Sequence, residues 1–232
     1  GPALGVDRRD APAERLDGGR LLYAQREVLN FTDWDVLALR DAPAVTNAMH
    51  REIERSGAGL AAPRVASGTH SLHLLCESRL AEFFRSAACL FFSSKNQAVL
   101  TLVTLLCGEG DLILADDTTQ SPIADAAALI GAEVQSFSPA QLQTLQKALE
   151  HAARRQRIFI FCECVSAVTG IAAPLATLLL LSARYGAPCI IDESCALGTV
   201  GIRGGGSADL LPPLAPVLCR YGELARALPG HG

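Results

Sequence analysis

The chain has 232 residues, half of them apolar, and a formal net charge of −4 at pH 7. A chain of this length and composition buries a sizeable core. Its modest negative charge argues against a surface for nucleic acid or for an anionic membrane. No secretory signal is visible, and no apolar run reaches the roughly 20 residues that span a bilayer.

The cysteines favour neither a metal site nor a disulfide framework, although there are eight of them. Cys162 and Cys164 are separated by one residue and lack the two-residue gap of a metal knuckle. We therefore predict no metal site and a reducing compartment. Four cysteines in apolar surroundings are predicted to be small core residues: Cys76, Cys89, Cys107 and Cys189.

In chain order, residues 1–19 are predicted to be a poorly ordered lead-in, followed by strands at 20–24 and 27–31 and a helix at 42–56. A second helix, 71–84, is predicted to face inward through Leu72, Cys76, Leu80 and Phe83 or Phe84. Strands are then expected at 88–92, 111–115, 133–137, 158–162 and 187–191, and helices at 97–106, 121–130, 141–153 and 174–185. This alternation predicts a mostly parallel, doubly wound α/β sheet. Residues 218–228 are predicted to be helical, with no further strand.

An aspartate stands where chemistry is usually found in such a sheet. The apolar run from Ala187 to Ile191 predicts a buried parallel strand that ends at Asp192. Ligands of open α/β sheets bind at the carboxyl ends of the strands. Asp192 could pair with the ring nitrogen of pyridoxal phosphate, or it could be a solvated strand-end acid. The segment alone leaves both interpretations open.

Two other polar features also have two interpretations. Ser93-Ser94-Lys95-Asn96 precedes a helix and could cradle an anion, but an ordinary helix cap explains Ser94 and Asn96 equally well. His73 lies near the start of a helix, where a histidine is more often packed or hydrogen-bonded than catalytic. The chain has no P-loop and no GxGxxG, which argues against a dinucleotide site.

Taken together, four ordered stretches resemble the α-oxoamine synthases, the pyridoxal-phosphate enzymes that join an amino acid to an acyl thioester with loss of carbon dioxide. The stretches are Arg64–Thr69 with His73 and Glu77, Gly110–Asp116, Gly170–Leu175 with Tyr185, and Asp192–Gly201. The resemblance covers residues 28–205. It implies an incomplete large domain of the aminotransferase type (fold type I), without the C-terminal small domain. The implied division is an N-terminal extension (1–55), this partial large domain (56–205) and a Pro/Gly-rich tail (206–232).

Within this family the chain most resembles the non-catalytic first long-chain-base subunit of serine palmitoyltransferase. Like that subunit, it has Asp192-Glu193-Ser194 without the histidine that follows in active members. The resemblance implies a heterodimer with a lysine-bearing catalytic homologue, with Arg64, Thr69 and His73 at the interface. The complex would condense serine with palmitoyl-CoA in sphingolipid long-chain base synthesis. Its location would be the cytosolic face of the endoplasmic reticulum, or otherwise the cytoplasm.

The resemblance implies that most residues that contact the cofactor in active members are replaced by other residue types in this chain. The resemblance places Gln120 where active members have a ring-stacking histidine. It places Ala167 at a serine near the ring, and Cys195 at the histidine that bonds the ring hydroxyl. Asp192 keeps its family role, and Ser94 and Asn96 complete what would be a vestigial cofactor site.

Lysine is the decisive residue type, because this chemistry needs an amine to hold the cofactor as a Schiff base. The chain has only Lys95 and Lys147, whereas the family's lysine lies beyond the aspartate. Arginine cannot substitute, because its guanidinium stays protonated. We therefore expect no catalytic residue and no covalently bound pyridoxal phosphate in this chain. The alternatives are a divergent α-oxoamine synthase whose lysine lies outside this chain, or a degenerate fragment.

Overall fold

The computed structural model describes residues 13–16, 19–59, 62–118, 120–152, 157–212 and 215–228. The chain divides into two compact units, residues 1–34 and residues 35–232. The predicted lead-in falls partly outside the described residues, and residues 13–16 within it form a strand. No described helix is long and apolar enough to cross a membrane.

The first unit contains a three-stranded antiparallel sheet. Its strands are β1 (Ala13–Leu16), β2 (Arg20–Tyr23) and β3 (Arg26–Leu29), paired in that order. The turn between β2 and β3 consists of Ala24 and Gln25, both with positive φ. That conformation matches the twist of a two-residue hairpin. The two strands predicted in this region are confirmed.

The second unit is built around a five-stranded, all-parallel sheet in the order β5-β4-β6-β7-β8. The strands are β4 (Leu112–Asp116), β5 (Glu133–Phe137), β6 (Ile158–Glu163), β7 (Cys189–Asp192) and β8 (Val217–Tyr221). The helices are α1 (Pro43–Ser56), α2 (Ser71–Phe83), α3 (Lys95–Leu106), α4 (Gln120–Ile130), α5 (Leu142–Ala152), α6 (Leu175–Tyr185) and α7 (Ser207–Leu210). A π-helical turn at Arg64–Gly68 precedes α2. The predicted parallel α/β architecture is confirmed.

The two faces of this sheet carry separate hydrophobic cores. Successive strand residues point to opposite faces, so Leu112 and Leu114 pack with α5 and α6, whereas Ile113 and Ala115 pack with α3 and α4. Every residue of β4, β6 and β7 is buried. Strands covered on both faces read as continuous apolar runs, which is why the sequence pattern located them well.

Two predictions at one side of the sheet are wrong. Residues 88–92 form no strand with any described residue, although their apolar sequence predicted one. Conversely, Val217–Tyr221 is a strand rather than the start of a helix, and it pairs in parallel with β7. Strand formation requires a neighbouring backbone, which the local sequence of neither segment reveals. The division of the chain at residues 55 and 205 stays a prediction.

The inward face of α2 also differs from the prediction. Cys76 is exposed, and the buried residue of this helix is Glu77. Glu77 is buried because Arg64 pairs with it through both carboxylate oxygens, at 2.6 and 3.1 Å, and the Phe91 amide donates a third hydrogen bond. Cys89 is half-buried, while Cys107 and Cys189 are buried as predicted.

Candidate functional site

Four polar residues meet where four adjacent strands of the five-stranded sheet end. Asp116, Glu163, Asp192 and Tyr221 are the last residues of β4, β6, β7 and β8, and all four are buried. The strand register sets Glu163 beside Asp192, and Asp192 beside Tyr221. The carboxyl edge of the sheet therefore concentrates polar side chains, as expected for a site of this fold.

Asp192 is the centre of this group, and it is 2 % exposed. Its Oδ1 accepts hydrogen bonds from the Ser194 amide at 2.9 Å and from the Ser194 hydroxyl at 2.6 Å. Its Oδ2 lies 2.6 Å from the ammonium Nζ of Lys95. Burial rules out the solvated strand-end acid. Oδ1 is engaged by Ser194, whereas Oδ2 forms an ion pair with Lys95 but accepts no hydrogen bond from any described residue.

Lys95 reaches Asp192 from the first turn of α3. Ser94 caps this helix, since its hydroxyl accepts from the Gln97 amide at 3.3 Å, whereas Asn96 is exposed. The cap interpretation of Ser94 is thus confirmed, and a role for Ser94 or Asn96 with a cofactor stays a prediction. The Lys95 side chain is 22 % exposed, and its ammonium lies 5.9 Å from the centroid of the Tyr221 ring. Burial, with the negative charge of Asp192, raises the pKa of Tyr221 well above its usual value.

The contact between Lys95 and Asp192 was missed in the sequence, where the two residues are far apart. One signal was available. A lysine in the first turn of a helix faces the positive end of the helix dipole, which disfavours a cation there. In a chain with only two lysines, such a placement indicates a specific anionic partner.

Two further buried carboxylates, Asp116 and Glu163, lie close together at this edge of the sheet. Their contact was also missed in the sequence. The hydroxyl of Thr118 lies 2.8 Å from both Asp116 Oδ1 and Glu163 Oε2, and it can donate to only one of them at a time. The Glu163 amide also donates to Asp116, at 3.3 Å. Burial raises the pKa of Asp116, with the Glu163 charge adding to the effect while the Thr118 hydrogen bonds oppose it.

We expect this raised pKa to make stability fall with increasing pH. The folded state holds the Asp116 proton to a higher pH than the unfolded state, whose carboxyl titrates near about 3.9. The contribution is fully present below that value and is lost as pH rises through the folded pKa. As the pH rises from about 4 to 7, the free energy of unfolding of Asp116→Asn should therefore increase relative to that of the parent, as measured by urea unfolding. Asp117→Asn, an exposed neighbour, should show no such gain, and equal pH profiles for all three proteins would contradict the assignment.

The other positions predicted to contact the cofactor are Cys195, Ala167 and Gln120, and the described ones offer few side-chain groups that could bind it. Cys195 is half-buried, and its sulfur accepts a hydrogen bond from Arg226 Nη1 at 3.1 Å. Burial raises the pKa of the Cys195 thiol, with Arg226 opposing it. Ala167 contributes a backbone amide to Glu163 rather than a side-chain donor. The side chain of Gln120 lies outside the described part of the chain.

The three residues predicted at an interface build local structure around the π-helical turn. Arg64 is paired with Glu77, and the Thr69 hydroxyl donates to the Arg64 carbonyl at 2.9 Å. His73 Nδ1 accepts from the His70 amide at 3.1 Å and so caps α2, which supports the non-catalytic interpretation of His73. Arg64 and His73 also line a cleft with residues 91–93. Their part in an interface stays a prediction.

A largely apolar cavity of about 340 Å³ adjoins the Lys95–Asp192 pair. It lies between residues 88–92, helix α3 and strand β8, and Lys95 and Glu193 contribute to its wall. Leu90 and Leu105 also line it and are 70 % and 76 % exposed. An open apolar surface of this kind marks a place for a ligand or for further polypeptide.

Two kinds of group would hold pyridoxal phosphate at this edge of the sheet: a carboxylate for the ring nitrogen and a lysine for a Schiff base. Asp192 is a suitable partner for a ring nitrogen, but its Oδ2 already holds Lys95. Lys147 is on α5, whose buried residues belong to the core on the opposite face of the sheet from α3. Of the two lysines only Lys95 lies at Asp192, and its ammonium stands against the oxygen that a ring nitrogen would need. That this chain holds no covalently bound cofactor stays a prediction.

Comparison with known proteins places the chain in context. Residues 26–203 match the family model described as aminotransferase class I and II. The chain is 32 % identical to the 8-amino-7-oxononanoate synthase of Geobacter sulfurreducens over 215 residues, which are 93 % of this chain and 55 % of that protein. It is also 32 % identical to that of Geotalea daltonii over 231 residues, 99 % of this chain and 59 % of that protein.

Solved structures agree on the fold. Sphingomonas wittichii serine palmitoyltransferase superposes with a TM-score of 0.88 at 25 % identity, covering 95 % of this chain and 55 % of that one. A serine palmitoyltransferase from S. paucimobilis with a bound PLP–myriocin aldimine gives a TM-score of 0.87 at 21 % identity, covering 95 % and 57 %. The predicted likeness to α-oxoamine synthases and the aminotransferase-type fold are confirmed. The chain spans somewhat more than half the length of these relatives.

Proposed function

Because the chain belongs to the aminotransferase class I and II family, we propose that it is a non-catalytic partner subunit of a pyridoxal-phosphate-dependent α-oxoamine synthase. The observation that carries this proposal is the ion pair between Lys95 and Asp192. The carboxylate that would hold a ring nitrogen is bound to one of the two lysines of the chain. The other lysine, Lys147, lies on α5, away from this site.

The other family positions support the same conclusion. Ala167 has no polar side chain, and the Cys195 thiol is a weak donor whose sulfur is engaged by Arg226. These departures lie within the matched segment, so they do not depend on sequence beyond residue 232. The carboxyl edge of the sheet keeps its fold and its buried charges while lacking the groups that family chemistry needs.

A role in assembly is favoured by the apolar cavity and its exposed rim. Leu90 and Leu105 belong to the cavity lining and are largely exposed to solvent. Exposed apolar surface that continues into a cavity is typical of a protein–protein interface. We propose a lysine-bearing homologue as the partner, and Arg64, Thr69 and His73 as additional contacts around the neighbouring cleft.

For the complex we propose the substrates of the α-oxoamine synthases as a class: an amino acid condensed with an acyl thioester. Serine and palmitoyl-CoA, with a complex at the cytosolic face of the endoplasmic reticulum, are the specific form that the likeness to the first subunit of serine palmitoyltransferase suggests. The curated relatives compared above are 8-amino-7-oxononanoate synthases, not subunits of that kind. The acyl donor is therefore best tested with more than one acyl-CoA.

A catalytic role is the second candidate, favoured by 32 % identity to 8-amino-7-oxononanoate synthases over almost the whole chain. These 232 residues contain no lysine after Lys147, whereas the resemblance places the family's Schiff-base lysine beyond the aspartate. A reading frame that continues past residue 232 into such a segment, with turnover by the longer protein alone, would establish this candidate.

We expect the purified chain to release no CoA from acyl-CoA and serine or alanine. Co-expressed with a lysine-bearing homologue from the same genome, it should form a stoichiometric complex and alter the rate of CoA release. The control is a homologue whose Schiff-base lysine is replaced by alanine, which should abolish activity with this chain present. Stoichiometric borohydride trapping of pyridoxal phosphate on this chain, together with turnover, would refute the non-catalytic role.

The interface is tested by two matched leucines. Leu105→Asp should weaken the complex, because it places a charge on the rim of the cavity. Leu180→Asp, at a similarly exposed position on α6, should leave the complex intact. Equal effects of the two substitutions, or no complex with any lysine-bearing homologue, would contradict the proposed assembly.

A further inference from the structure

The Lys95–Asp192 pair has the geometry of a substitute for a bound ring. A protonated pyridine nitrogen needs one carboxylate oxygen that is free to accept a hydrogen bond. Ser194 occupies Oδ1 of Asp192 with two hydrogen bonds, which leaves only Oδ2. Lys95 Nζ lies 2.6 Å from that oxygen. The ammonium therefore stands where a ring nitrogen would have to be.

Two cations cannot share this oxygen favourably. A ring N–H⁺ brought to Oδ2 would lie within a few ångströms of the Lys95 ammonium, and like charges at that distance repel strongly in a site of low water content. The surroundings also hold Lys95 in place. Its ammonium lies 5.9 Å from the Tyr221 ring centroid, within the range of a cation–π contact.

The position of Lys95 in its helix indicates that its charge serves to neutralise Asp192. Lys95 is the first residue of α3, where the helix dipole disfavours a cation. Asp192 supplies the compensating charge, and without a cation this buried carboxylate would itself be left unpaired. Each residue thus neutralises a charge that would otherwise be unfavourable.

We propose that Lys95 is a built-in cationic plug that takes the place of the cofactor ring nitrogen at Asp192 and excludes pyridoxal phosphates from the site. This goes beyond the proposed function, because a non-catalytic subunit could still bind the cofactor without a Schiff base. The plug lets the carboxyl edge of the sheet fold with its buried aspartate neutralised and with no ligand present.

The test uses pyridoxamine phosphate, which has an amine instead of an aldehyde and so cannot form a Schiff base with either lysine. Titration calorimetry with the wild-type chain should show no saturable binding. Lys95→Met frees Oδ2 and should tighten binding by at least about tenfold, the factor that one charge-assisted hydrogen bond of ordinary strength contributes. Lys147→Met, which removes the other lysine, should behave as the wild type.

A double variant isolates the role of the carboxylate. Lys95→Met combined with Asp192→Asn should lose the gained affinity, because an amide offers the ring cation no opposite charge. If Lys95→Met is too unstable to purify, Lys95→Gln replaces it, since its neutral amide removes the charge that would repel a ring cation from Asp192. Equal affinity of the wild-type chain and the Lys95 variant, whether both bind or neither does, would overturn the proposal.

Different results would contradict the role of Lys95 and the role of the chain as a partner subunit. Binding of pyridoxamine phosphate by the wild-type chain as tightly as by Lys95→Met would refute the role of Lys95 without contradicting a non-catalytic partner subunit. Failure to form a complex with any lysine-bearing homologue would remove the partner role without affecting the measured competition between Lys95 and the ligand.

Discussion

Replacing Lys95 with methionine is expected to lower the free energy of unfolding by about 3 kcal/mol, the lower end of the range for breaking a buried ion pair. The substitution approximately keeps the length of the side chain but leaves Oδ2 of Asp192, whose side chain is 1 % exposed, without an opposite charge. The lower end applies because Lys95 itself retains some contact with water. Urea unfolding at neutral pH measures the loss.

A second substitution should restore much of this stability. In the double variant Lys95→Met with Asp192→Asn, neither member of the charged pair remains, and the side-chain carbonyl of the introduced asparagine can still accept from Ser194. Lys147→Met, on α5, should change stability by less than about 0.5 kcal/mol. A loss as small as this control for Lys95→Met would show that the ion pair contributes little to the fold.

Glu193→Ala is expected to cost about 3–5 kcal/mol, because several buried groups would lose their partner together. Glu193 is 1 % exposed and accepts hydrogen bonds from both the amide and the hydroxyl of Ser207. Arg220 Nε lies 3.9 Å from the same carboxylate. The truncation leaves the Ser207 amide unsatisfied and opens a cavity between the end of β7 and α7.

The backbone around this contact has little room to adjust. Gly206 has a φ of +62°, and a Cβ there would lie 2.4 Å from Glu193 Oε2, so the chain approaches the carboxylate as closely as glycine permits. Thermal and urea unfolding at neutral pH measure the effect of Glu193→Ala. Glu54→Ala, on the exposed surface of α1, serves as the control and should stay within about 0.5 kcal/mol of the parent. A similarly small effect at Glu193 would contradict its role in holding α7.

Prediction from sequence worked best where a segment is covered on both sides. The strands β4, β6 and β7 and the helices α4, α5 and α6 were located closely, because burial imposes apolar runs and helical spacing that the chain itself displays. It failed at residues 88–92 and 217–221, whose apolar character is similar. Only β8 finds a neighbouring strand, and that neighbour, β7, is distant in sequence.

The candidate site was predictable in part. Asp192 could be identified because a polar residue ending an apolar strand is a local pattern. Thr118 with Asp116 and Glu163, and Ser207 with Glu193, could not, since their hydrogen bonds join the ends of different strands and loops. The burial of Glu77 was missed for another reason. A carboxylate on a helix is expected to face solvent, and only the folded structure places Arg64, from the preceding turn, against it.

The sequence by itself determined the parallel α/β architecture and the scarcity of lysine, because these depend on residue type and on short-range periodicity, and the resemblance of four ordered stretches indicated the family. Only the tertiary structure decided what Lys95 does. In its local sequence it is a cation at the start of a helix, next to the residue that caps that helix. Folding brings this helix end over the carboxyl end of β7, where burial removes water from Asp192 and makes the ammonium its principal counter-charge.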